Sequence, residues 1–215
     1  MRNPRKRTFR LLAVTTLAAP LLGAAAPVTS TGWASSGSVD VTIDNEQVVT
    51  GELAKCTVDG PYQGWTQGGA TGDIAVFGAG NTGCGRAGET AIAQAAGRRF
   101  RATVLQRYGG PELTVRTFSA KCATTATGSQ GEVAVGAVEG VTVPEEIPPN
   151  YRIVIPGGAA GTALATVVLN ETVTPQPPDG SLVTHAVHIK LFPQGGPASG
   201  DIYLGTAACD PFGKK

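Results

Sequence analysis

Two histidines, four cysteines and one aromatic pair are the residues of this 215-residue chain whose types could do chemistry. His185 and His188 stand three apart in Val183-Thr184-His185-Ala186-Val187-His188-Ile189-Lys190-Leu191. On a helix, imidazoles at that spacing would share a face and could hold a metal or serve a nucleophile. The β-branched neighbours instead make the segment extended, where side chains alternate sides. Strict alternation sends His185 inward with Val183, Val187, Ile189 and Leu191, and His188 to the polar face with Thr184 and Lys190. Without a bulge between them the pair cannot share a metal ion. The expected roles are a largely buried imidazole bonded to a neighbouring group at His185, and a more exposed one at His188. No metal site and no catalytic residue is assigned.

Other catalytic patterns fail on spacing. Gly128-Ser129-Gln130-Gly131 lacks the spacing and the preceding apolar strand of a nucleophile elbow. The acids stand at strand edges and in turns, where solvated carboxylates are ordinary, rather than as a facing pair for glycoside hydrolysis. Asp40, Asp44 and Glu46 do not have the spacing of a calcium loop. The glycine string at 78–83 lacks the lysine and hydroxyl residue that a phosphate loop needs, and neither it nor the string at 157–161 sits in a strand–turn–helix unit. The expectation is therefore no cofactor and no enzyme, with a secreted hydrolase kept as a further alternative.

The chemistry that the cysteines offer is oxidation. Cys56, Cys84, Cys122 and Cys209 are too far apart for a zinc knuckle. An even number of cysteines in an exported chain predicts two disulfides, for which the sequence allows three connectivities. The preferred one pairs Cys56 with Cys84 and Cys122 with Cys209, so that the first bridge ties down a loop rich in glycine.

Export itself is read from the amino terminus. Arg2, Arg5, Lys6, Arg7 and Arg10 precede an apolar run over Leu11–Ala26, and small residues follow. That is the pattern of a secretory signal, assigned to residues 1–34 with cleavage after Ala34 in preference to Ala26. The run is too short to span a bilayer and is broken by Pro20 and Gly23. A retained anchor is the alternative. All 16 acids lie beyond this leader and five of the 17 basic residues lie within it, so the remainder is mildly acidic. No basic stripe interleaved with aromatics remains to suggest nucleic-acid binding.

Residues 35–215 read as one domain. Val39, Val41 and Ile43 alternate with polar residues, and alternation returns at Leu113–Phe118, Val133–Val135 and Ile153–Ile155. Leu164–Val173, Leu182–Phe192 and Ile202–Thr206 complete the apolar pieces, and Gly- and Pro-rich turns separate them. This predicts an all-β, antiparallel sandwich of the Ig-like or jelly-roll kind. One short helix is allowed over Gly88–Gly97, whose alanines are good helix formers. Tyr62 and Trp65 lie in the polar stretch Gly60–Gly69. If exposed, the rings would stack on sugar or form a protein contact; the preferred alternative has Trp65 capping one end of the core.

The closing segment Thr184-His185-Ala186-Val187-His188-Ile189-Lys190-Leu191, with Gly200-Asp201-Ile202-Tyr203-Leu204-Gly205-Thr206-Ala207-Ala208-Cys209, resembles the actinobacterial secreted proteins called choice-of-anchor P. On that match His188 takes the place of the family histidine, and His185 that of an asparagine. The resemblance covers about 25 residues in its specific part. It implies an exported, Gly- and Val-rich β-domain and carries no catalytic residue. The chain ends Asp210-Pro211-Phe212-Gly213-Lys214-Lys215 without a sorting motif, which suggests release or noncovalent association with the envelope. The expected function is thus a non-catalytic secreted or envelope-associated protein, with cell-wall polysaccharide or a surface protein as partner. A carbohydrate-binding module working through Tyr62 and Trp65 is the first alternative.

Overall fold

The computed structural model describes residues 29–158 and 162–213. The first strands are β1 (Thr31–Ile43), β2 (Glu46–Leu53), β3 (Cys56–Thr57), β4 (Gln63–Thr66), β5 (Gly69–Thr71), β6 (Ala75–Phe77) and β7 (Gly80–Ala87). They are followed by β8 (Thr90–Ala102), β9 (Leu113–Thr124), β10 (Ser129–Glu139), β11 (Tyr151–Pro156), β12 (Ala163–Val173), β13 (Leu182–Leu191) and β14 (Ala198–Asp210). One sheet runs β11-β12-β13-β14-β1-β2, with β3 also on β1. The other runs β10-β9-β8-β6-β5, with β7 joining β8 to β4. Neighbours pair antiparallel, and the two sheets pack face to face as the predicted sandwich. The segment 140–150, with Pro144, Pro148 and Pro149, carries the chain from the second sheet to the first.

Side-chain volume divides the interior in two. At one end Val39, Ile189 and Leu204 of the first sheet meet Phe77, Phe100 and Leu113 of the second, and the rings of Phe77 and Phe100 lie 5.2 Å apart. At the other end the buried residues are small: Ala34 and Ala207 face Ala93, Ala95 and Ala120. Sheets usually pack about 10 Å apart. Alanines let them approach until one bond can join them. Cys56 of β3 bridges to Cys84 of β7 with Cα atoms 5.7 Å apart, and Cys122 of β9 to Cys209 of β14 at 5.9 Å. This is the predicted connectivity, and each bridge crosses between the sheets.

The same geometry corrects the expected helix. Gly88–Gly97 belongs to the β7–β8 hairpin, and Ala91, Ala93 and Ala95 all face inward at the narrow end. Their value here is small size at alternate positions, and packing overrides helix propensity. The short helical turn lies at Val104–Tyr108 instead, and Gly109 closes it at φ 77°.

The boundary at residue 35 also meets a structural fact. β1 begins at Thr31, pairs from there with β14, and buries Ala34 in the alanine cluster. The folded unit therefore includes residues 31–34, and cleavage after Ala34 would remove four positions from an interior strand. Residues 1–28, which hold most of the expected leader, lie outside the described residues.

A line of irregular backbone crosses the first sheet. The ladders skip Asn170 of β12, Ala186 of β13, Gly205 of β14 and Ser36 of β1, which lie opposite one another. Asn170 and Gly205 are left-handed, at φ 51° and 59°. A Cβ at position 205 would stand 2.6 Å from the Phe118 ring, so glycine is required there for space as well as for φ. Across this line the inward phase reverses. Val39 and Val41 point into the large-residue core below it, and Ala34 into the small-residue end above it.

Candidate functional site

The phase reversal decides where the histidines go. On β13, Thr184 and Ala186 face inward, and so do Val187 and Ile189 on the far side of the irregularity. His185 and His188 therefore share the outer face, which corrects the expectation of opposite directions. Their ring centroids are 6.0 Å apart, and Tyr203 packs against them at 4.6 and 4.5 Å respectively.

His188 is held from both sides. Its Nδ1 lies 2.9 Å from Glu171 Oε2 on β12, and its Nε2 lies 2.7 Å from Asp201 Oδ1 on β14. Burial disfavours the charged ring, but hydrogen bonds to Asp201 and Glu171, and their charges, outweigh it and bring the pKa up to about 9. His188 is thus an imidazolium donating both protons, a three-strand bridge with no free nitrogen to take a proton from a substrate. His185 shares a hydrogen bond of 2.9 Å with the Thr206 hydroxyl. Burial lowers its pKa to about 4, so it is neutral at physiological pH. Thr206 is only 2% exposed, which withholds that hydroxyl from any substrate. Burial, with the charges of Asp201 and Glu171, raises Tyr203 to about 12. The cluster has the residue types of a catalytic site and the bonding of a structural bridge. Among the described residues no group of three or more His, Cys, Asp or Glu side chains has metal-binding geometry.

Other acids considered from sequence are separated. Asp40 accepts a hydrogen bond from Gln47, and Asp44 pairs with Arg107 at 2.6 Å. Beside Glu171, the Asn170 amide donates to the Ile147 carbonyl at 2.7 Å and is partly buried.

Tyr62 and Trp65 come out on the surface. Trp65 is 72% exposed and Tyr62 61%, which overturns the reading of Trp65 as a cap on the core. The physical reason is Gly64. It turns inward under Ala54, where a Cβ would collide with the Ala54 carbonyl, and Trp65, next along the strand, must point out.

The backbone beneath these rings is fixed. Cys84 N–H donates to the Tyr62 carbonyl at 2.8 Å, directly above the Cys56–Cys84 bridge. Thr57 N–H donates to the Pro61 carbonyl at 2.9 Å. Arg86 reaches the Ser30 and Val58 carbonyls and pairs with Asp59 at 2.6 Å, clamping the loop that leads to Tyr62. Two large exposed aromatics thus stand on a cross-linked backbone.

The fold and its bridges define an all-β, two-disulfide sandwich. No protein-family model matches the chain, and no curated protein or solved structure shows significant similarity to it. Among the described residues, no helix is long and apolar enough to cross a membrane.

Proposed function

We propose that this chain is a non-catalytic protein of the cell exterior that binds envelope polysaccharide through Tyr62 and Trp65. The observation that carries the reading is the exposure of Trp65 on a strand anchored beside a disulfide. Indole and phenol rings present flat apolar faces that match the axial C–H faces of sugar rings, while their polar atoms remain free to bond hydroxyls. The leader-like amino terminus, two disulfides and the resemblance to choice-of-anchor P proteins support an exported protein. The closed bonding of His188 and the buried Thr206 hydroxyl speak against hydrolysis.

Purified protein is expected to sediment with isolated cell-wall polysaccharide, and Trp65→Ala to reduce its affinity about tenfold or more. Tyr62→Ala should weaken it by a smaller factor. Both variants should retain wild-type thermal unfolding, because neither ring packs in the core. Equal sedimentation of wild type and Trp65→Ala would end this reading.

A further inference from the structure

We propose that the ligand is an uncharged polysaccharide chain lying across the outer face of the second sheet, from Trp65 to Glu132. This extends the aromatic-site reading and rests on it. The register carries the argument. Trp65 of β4 stands opposite Asn81 of β7, Asn81 opposite Ala96 of β8, and Ala96 opposite Ser119 of β9. The adjacent row runs Gln63, Gly83, Gln94, Lys121 and Glu132, one residue from each of five strands. Four strand intervals at about 4.8 Å make a track of roughly 19 Å, long enough for several sugar rings.

This face is also shaped. Three clefts of about 320, 240 and 210 Å³ lie along it. Tyr62 and Gln63 line the first, Asn81 and Ser119 the second, and Gln130 the third. Gln94 borders the first two, and Lys121 and Glu132 border the last two, so the clefts adjoin in a line across the face, the trough of this proposal. Gly83 and Ala96 keep its floor low between taller amide side chains.

Its chemistry selects the occupant. Gln63, Asn81, Gln94 and Gln130 each supply a donor and an acceptor, the pairing that neighbouring sugar hydroxyls require. Lys121 and Glu132 stand directly opposite each other and cancel in charge. Arg86, which also lines the first cleft, is paired with Asp59, so a polyanion would meet only cations already countered by carboxylates, and a polycation the reverse. Neutral, hydroxyl-rich rings with an aromatic platform at one end fit both the row and the rim.

Affinity electrophoresis tests this with named polymers. Wild-type protein should be retarded by at least one of hydroxyethylcellulose, mannan and arabinogalactan, and not by carboxymethylcellulose or chitosan. Asn81→Ala and Gln94→Ala should each weaken that retardation about fivefold to tenfold with unchanged thermal unfolding, since both side chains are exposed. If Trp65→Ala abolishes retardation while the two amide variants behave as wild type, the aromatic site stands and the trough is overturned. Stronger retardation by a charged polymer overturns the ligand class. Absence of retardation in all five gels overturns the trough, while the sedimentation experiment with cell-wall material still judges the aromatic site separately.

Discussion

Removing the Cys122–Cys209 bridge, as a Cys122→Ala/Cys209→Ala double variant, is expected to lower the unfolding free energy by about 4–5 kcal/mol. The bond closes a loop of sequence separation 87, and release of a loop that long raises denatured-chain entropy more than release of a short one. Cys56–Cys84, with separation 28, should contribute about 3–4 kcal/mol on the same scale. Single domains of this kind have about 5–15 kcal/mol in total, so losing the longer bridge leaves a marginal fold. The small-residue end makes this dependence sharper. Alanines bury little apolar area per residue, and the bonds there hold sheets that side-chain packing holds elsewhere. Urea unfolding of the double variants measures both values. A loss below about 1 kcal/mol for the longer loop would contradict the entropic account. The shorter bridge should matter more for the proposed polysaccharide binding, because it lies under Tyr62.

His188→Ala is expected to cost about 3 kcal/mol near pH 6, because it leaves Glu171 and Asp201 facing each other without their shared cation. The pH dependence follows from the two histidines. His188 rises from 6.5 to about 9 on folding, so its stabilisation is full below pH 6.5 and is lost as pH climbs toward 9. His185 falls from 6.5 to about 4, so its contribution is full above pH 6.5 and is lost as pH drops toward 4. The pair therefore gives a stability maximum near pH 6.5.

The alkaline limb should amount to about 2 kcal/mol once solvent screening at the bridge is allowed for. Asp201, whose side chain is 33% exposed, is the more solvated carboxylate. Lys190 and Asp40 stand opposite Asp201 on the neighbouring strands and set the charges around the bridge together with Glu171. Denaturant titrations from pH 4 to 9 should show the alkaline limb vanish in His188→Ala. A wild-type stability that rises steadily from pH 6.5 to 9 would refute the bridge.

The strands that alternate in sequence were legible because one face is solvated and the other packs on large side chains. Val39-Val41-Ile43 and Leu113-Val115 are of that kind. β7 and β8 were hidden for the opposite reason. Glycine and alanine carry little hydrophobic contrast, and their packing role appears only once a second sheet comes within disulfide distance. The side chosen by each histidine was hidden too. It turns on left-handed Asn170 and Gly205 in neighbouring strands, which set the phase of β13 from outside its own sequence. Asn-Glu and Leu-Gly-Thr could have hinted at such breaks, since asparagine and glycine are the residues that accept positive φ. The exposure of Trp65 is not legible locally, because it depends on Gly64 meeting the Ala54 carbonyl, a contact between segments ten residues apart. The row Gln63, Gly83, Gln94, Lys121 and Glu132 needs the register of five strands, which no local pattern encodes.

Amide-resolved NMR titration with a soluble neutral oligosaccharide, cut from whichever polymer retards the protein, tests the proposed binding face most directly. The Trp65 indole N–H and the side-chain amides of Gln63, Asn81 and Gln94 should shift together and saturate with one affinity, while resonances of His188 and Tyr203 on the opposite sheet stay in place. Shifts gathered around His188 and Tyr203, with Trp65 and the three amides unmoved, would contradict the account.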